Sequence, residues 1–195
     1  MLSAAIGDPV RVWFAGFLNW MTASKKGLDE KNSGNNHATW WTAQVAAYAS
    51  LTRNPAVQTM AWEHYRTVLV PGEIQANGSC PREEERTNSL SYSGMNAFSV
   101  ICRIAEANSV SPDLWSYRTF RGIGVSTAFQ YLAPHVLHPE NWKKQQISKF
   151  TPEGTVFTGL AGLRRGFNEM LDTYRLFFHG TSPWSTFIRL LAKPA

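Results

Sequence analysis

Two short clusters in this 195-residue chain hold the side chains that could do chemistry: GNNHATWW at residues 34–41 and PREEERTNSLSYS at residues 81–93. The first places two amides, Asn35 and Asn36, and an imidazole, His37, ahead of two indoles, Trp40 and Trp41. The second holds Arg82, Glu83, Arg86 and Tyr92. Imidazole and phenol move protons, and each transfer by a positioned group is worth roughly 100-fold or more in rate. Amide and guanidinium donors stabilise charge that develops on an anion, at ~3 kcal/mol for a well-placed donor. The same residues also have plainer uses. At a loop-to-helix junction Asn36 can be a cap and His37 a first-turn residue. Glu83 and Arg86, at i and i+3, can pair with one another. Tyr92 can be a core residue with its hydroxyl bonded locally, although it lies off the apolar stripe of its helix.

Other chemical signatures are missing or out of context. There is no HExxH, GxSxG, P-loop or EF-hand loop. The GIG at residues 122–124 follows no strand, which removes the dinucleotide reading. His135 and His138 stand at i and i+3 without a further His or a carboxylate at ligand spacing, so they read as a solvated helix end. His64, in WEHYR on a helix, reads as a structural imidazole. Cys80 and Cys102 match no CxxC pattern and are either two buried thiols or one bridge.

The elements that must position these clusters read as helices. Asp8-Pro9 opens a helix predicted over residues 9–24, with Val10, Trp13, Phe14, Phe17, Leu18 and Met21 at helical spacing. A polar loop, KKGLDEKNSGNN, leads to His37. Helices are predicted over residues 38–51 and 55–70, then a long loop over residues 71–87, then a helix over residues 89–108 whose stripe is Met95, Phe98, Ile101, Cys102 and Ala105. A short helix from Pro112, one over residues 125–137 with a kink at Pro134, and a last pair over residues 159–178 and 185–191 complete the reading. No period-2 strand appears, so the class is all-α, with helices joined as successive hairpins.

Composition sets the outer bounds. With 44% hydrophobic and 17% charged residues and only two cysteines, the chain is neither disordered nor a disulfide-stapled miniprotein, and it forms one domain. No apolar run reaches the ~20 residues of a membrane span, and the start MLSAAIGD has no basic region of an export signal. A net charge of +5 favours an anionic partner: nucleic acid, anionic lipid or an acidic polysaccharide. Eight tryptophans serve cores and sugar-stacking clefts alike.

Taken together the clusters resemble the alginate lyase domain of polysaccharide lyases with an (α/α) toroid. Asn35-Asn36-His37 opens an aromatic-rich helix, and Pro81-Arg82-Glu83, Arg86-Thr87 and Tyr92-Ser93 follow. DLWSYRT at residues 113–119, the Leu-Ala-Pro run at 132–134 and WKKQQI at 142–147 extend the likeness over roughly residues 9–147. The resemblance implies β-elimination on a uronic-acid polymer such as alginate or glucuronan. Asn36, His37 and Arg86 would neutralise the substrate carboxylate, Tyr92 would be the acid, and His37 or Tyr92 the base. Asn35, Glu83, Arg82 and Arg118 would line the substrate site. One of Trp40 and Trp41 would stack on a sugar, since adjacent helix positions point about 100° apart.

The resemblance implies no metal or organic cofactor, an acidic polysaccharide rather than nucleic acid or membrane as partner, and a periplasmic or secreted place of work. It leaves the oligomeric state open. Catalytic domains of the family are longer, so the chain is expected to supply the C-terminal part of an incomplete toroid. A non-catalytic module that binds an acidic glycan, or an inactive fragment of such a lyase, is the competing expectation.

Overall fold

The computed structural model describes residues 4–87, 93–108 and 111–144, and over them the chain is helical, with no strand among the described residues. The order is α1 (Ala4–Ala23), α2 (Lys25–Lys31), α3 (Asn36–Leu51), α4 (Pro55–His64), a π-helical stretch (Tyr65–Leu69), α5 (Val70–Glu73), α6 (Pro81–Thr87), α7 (Ser93–Glu106), α8 (Val125–Leu137) and a 3-10 turn (Pro139–Asn141). None of the described helices is long and apolar enough to cross a membrane.

Helix α3 is the axis of the packing and touches α1, α2, α4 and α7. Its buried residues, among them Ala38, Trp41, Val45, Ala46 and Ala49, are spread around the helix instead of forming one stripe, as befits a helix covered on several sides. The alanines let neighbouring helices approach closely. From α7, Phe98, Ile101, Cys102 and Ala105 meet this core on the predicted stripe, and Val125, Phe129, Leu132 and Val136 of α8 extend it.

Several predicted boundaries move, each for a local reason. Helix α1 is already formed at Ala4, the first described residue, and carries Pro9 inside it. A proline lacks the N–H, so Pro9 costs the helix one backbone hydrogen bond. Asp8 caps nothing and instead pairs with Arg11 at 3.1 Å. The expected loop after α1 contains α2, capped by the Ser24 hydroxyl, which accepts from the N–H of Gly27. Gly27 is a packing glycine: a Cβ there would lie 2.2 Å from the carbonyl oxygen of Met21.

The helix expected to end at residue 70 widens into the π-helical stretch and runs on to Glu73. Pro71 supplies the reason, because it has no N–H and its ring clashes with the carbonyl four residues back; the turn opens before it. The supposed long loop also contains α6, started by Pro81 with Glu83 and Glu84 in the first turn. No helix forms at Pro112. There Asp113 accepts from the backbone N–H and hydroxyl of Ser116, a local turn that competes with helix. Cys80 and Cys102 are separate buried thiols, the latter 3.3 Å from the Tyr65 hydroxyl. Helix α8 has its predicted bounds, and the final helix pair falls outside the described residues.

Candidate active site

The first turn of α3 builds the site. Asn35, not Asn36, is the cap: it is buried, and its Oδ1 accepts from the N–H of His37 at 3.0 Å. That assignment puts Asn36 inside the helix, so its carboxamide is not spent on capping. Gly34 precedes the pair with φ +68, and a Cβ there would collide with the Arg82 guanidinium. The glycine in GNNH is therefore demanded twice, by backbone conformation and by a neighbour.

Asn36, His37 and Trp40 line one cavity of about 550 Å³ together with residues of α1 and α2, among them Trp20 and Lys26. His37 is about half exposed, and its Nδ1 lies 2.8 Å from Oε2 of Glu30 on α2. A carboxylate oxygen accepts, so Nδ1 carries the proton and Nε2 is left with the lone pair that a general base needs. Sequence reasoning missed Glu30, because the segment that carries it looked like a loop and only α2 fixes its distance from His37.

The two indoles divide as helix geometry requires. Trp41 is 3% exposed and donates its Nε1–H to the Met21 carbonyl, which makes it core. Trp40 is half-buried at the cavity. Arg82 is exposed and donates to the Gly34 carbonyl at 2.8 Å, away from the His37 cavity, beside a smaller cavity of about 280 Å³ shared with Lys31 and Glu73. Glu83 is buried, with both carboxylate oxygens on backbone N–H groups, of Asn36 at 2.8 Å and Gly94 at 3.3 Å. Arg118 is held by its own loop, donating to the Trp115 and Tyr117 carbonyls and to the Ser126 hydroxyl. Arg86 belongs to α6, but its side chain and the whole of Tyr92 fall outside the described residues.

Behind the turn lies a second set of polar groups. The Thr39 hydroxyl donates to the buried Glu73 carboxyl at 2.9 Å, and burial above all, aided by the charge of Glu83, pushes Glu73 up to about 8. Thr42 gives its proton to the Ala38 carbonyl and lies 2.8 Å from Nδ1 of His64, so His64 is the donor in that contact. Burial lowers His64 to about 4, with the Lys31 charge contributing, and leaves it neutral at pH 7. His64 is thus the satisfied structural imidazole. His135 packs edge-on against Trp142 while His138 faces Glu140, so the two do not converge. Among the described residues no group of three His, Cys, Asp or Glu side chains could hold a metal ion.

Antiparallel helical hairpins around a central buried helix, with an amide–imidazole turn at its open end, define the class: an all-α (α/α) toroid, of which this chain forms part. Its fold is similar to that in the crystal structure of an alginate lyase from Bacteroides ovatus, with a TM-score of 0.84 and 21% sequence identity. The match covers 99% of this chain and 51% of that one, so the chain spans about half the length of that protein. The alginate lyase family matches residues 3–142, and the chain belongs to that family. Comparison with curated proteins gives no match.

Proposed function

We propose that this chain is a polysaccharide lyase domain that cleaves a uronic-acid polymer of the alginate or glucuronan type by β-elimination. The observation that carries the reading is the single cavity on which Asn36 and the Glu30-bonded His37 converge beside Trp40. In the reaction a base takes the proton from C5, the C4–O bond breaks as a C4=C5 double bond forms, and the leaving oxygen takes up a proton. The C5 proton is weakly acidic while the adjacent carboxylate holds its charge. Asn36 and Arg86 lower that barrier by binding the carboxylate as negative charge builds on it, and His37 joins them only where Nε2 also carries a proton and Tyr92 is the base. Nε2 of His37, or the Tyr92 phenolate, removes the proton, and Tyr92 protonates the leaving sugar.

Trp40 supplies a ring face for a pyranose, and Lys26 in the same lining supplies positive charge. The chain acts as one domain over residues 1–195, the C-terminal part of a toroid, and works in the periplasm or outside the cell. Family membership and the toroid fold support this reading.

The test is ultraviolet absorbance of unsaturated uronate ends after mixing the protein with polymannuronate, polyguluronate and glucuronan. A rise on one polymer, absent with Tyr92→Phe, is the expected result and names the substrate. Retained binding with no rise on any polymer would contradict the proposal and leave a glycan-binding module.

A further inference from the structure

Glu83 holds a position that substrate contact does not explain. It is 3% exposed, sits in the first turn of α6, and spends each carboxylate oxygen on a different helix. Oε1 accepts from Asn36, the first residue of α3, and Oε2 from Gly94 of α7. The Asn36 N–H belongs to the unpartnered donors at a helix N-terminus, where a negative charge is also favoured by the helix dipole. The neighbouring residue adds a second tie, since Arg82 donates to the Gly34 carbonyl just ahead of α3. Helix α6 is therefore stitched to the turn that carries Asn36 and His37, and through the same carboxylate to the helix that follows Tyr92 in the chain.

We infer that Glu83 is a positioning residue: it fixes the start of α3 against α7 at Gly94, and so holds the catalytic imidazole and amide in place, without touching substrate. The inference rests on the reading of Asn36, His37 and Tyr92 as the reacting groups. Only a carboxylate presents two acceptors. In Glu83→Gln one oxygen becomes an N–H donor facing a backbone N–H, which breaks one arm of the clamp at nearly unchanged volume. A misplacement near 1 Å between reacting groups costs about 100-fold in rate.

Two measurements on Glu83→Gln, Glu83→Asp and Glu83→Ala test this. Amide hydrogen exchange at Asn36 and Gly94 reads the clamp directly and needs no turnover. Exchange should be about tenfold or more faster at one of the two amides in Glu83→Gln and at both in Glu83→Ala. Kinetics on the polymer the wild type cleaves should show kcat down about 100-fold in Glu83→Gln, with KM within about twofold and an unchanged shape of the pH profile. Glu83→Asp, which keeps two acceptor oxygens on a shorter stem, should recover part of that loss.

Unchanged exchange at both amides in Glu83→Ala would overturn the clamp. So would wild-type kcat in Glu83→Gln, a loss confined to KM, or a missing limb of the pH profile, the last two marking Glu83 as a substrate contact or a proton carrier. Should Glu83→Ala fail to fold, the Gln and Asp variants carry both measurements. A wild type inactive on every polyuronate would sink the proposed function, while the exchange data would still decide the clamp.

Discussion

The two sides of helix α3 put the same kinds of side chain to opposite uses. On the cavity side His37 stands in water with a carboxylate, Glu30, on its Nδ1. On the interior side His64 of α4 is buried with a hydroxyl, Thr42, on its Nδ1. Glutamates divide in the same way: Glu30 is open to solvent, whereas Glu73 is buried under Thr39. Burial drives both interior groups to their neutral forms at pH 7, His64 downward to about 4 and Glu73 upward to about 8. A chemically useful imidazole needs access and an orienting acceptor together, and only the cavity side of α3 offers both. The interior offers hydrogen-bond satisfaction and cohesion.

The comparison can be broken most severely at Asn36. Asn36→Ala removes a donor from the cavity side without disturbing the Asn35 cap, and should lower kcat by about 100-fold. A value near wild type would return Asn36 to a purely structural role. A smaller effect is expected at Glu30→Gln, which keeps the side-chain shape but removes the charge that holds the His37 ring. A half-exposed pair contributes at most ~1 kcal/mol, so kcat should fall about fivefold.

The interior side is read by stability against pH. Folded Glu73 keeps its proton up to about pH 8, while the unfolded chain loses it near 4.5, so Glu73 makes stability decline as pH rises through that window. Folded His64 stays neutral down to about pH 4, while the unfolded chain gains a proton near 6.5, so His64 makes stability decline as pH falls through that range. Glu73→Gln should flatten the decline between about pH 4.5 and pH 8, so that its stability relative to wild type is greater at pH 8 than at pH 4 by roughly 2 kcal/mol. Thermal melts from pH 4 to pH 9 check this, and an unaltered slope between pH 4.5 and pH 8 would place the cause elsewhere.

Much of this division was legible in the chain. The apolar stripe of α7 and the bounds of α8 follow from spacing, and the toroid and the family follow from GNNH and PREEER with their partners. The family match over residues 3–142 lies close to the 9–147 read from the motifs. The role of His64 also followed from its helical context. What escaped were features set by tertiary contact. Helix α2 is polar and short, and its glycine packs against a backbone carbonyl, a fact with no trace in composition. Helix α6 hides in a run of acidic residues between prolines and glycines, and the reach of its Glu83 to two other helices leaves no mark in the sequence. Glu30 and Glu73 were invisible for the same reason, since neither has a motif and each gains meaning only from what the fold places opposite it. Asn35 and Asn36 could not be told apart as cap and donor until the start of α3 was fixed to one residue.

The most direct test of the account sets the two histidines against each other. Initial rates of unsaturated-end formation would be measured for His37→Gln and His64→Gln at equal concentrations of folded protein. The account predicts a loss of about 100-fold or more at His37 and a rate within about twofold of wild type at His64, whose variant should instead be less stable by ~1 kcal/mol. Equal rates for the two variants, or a loss confined to His64, would contradict it.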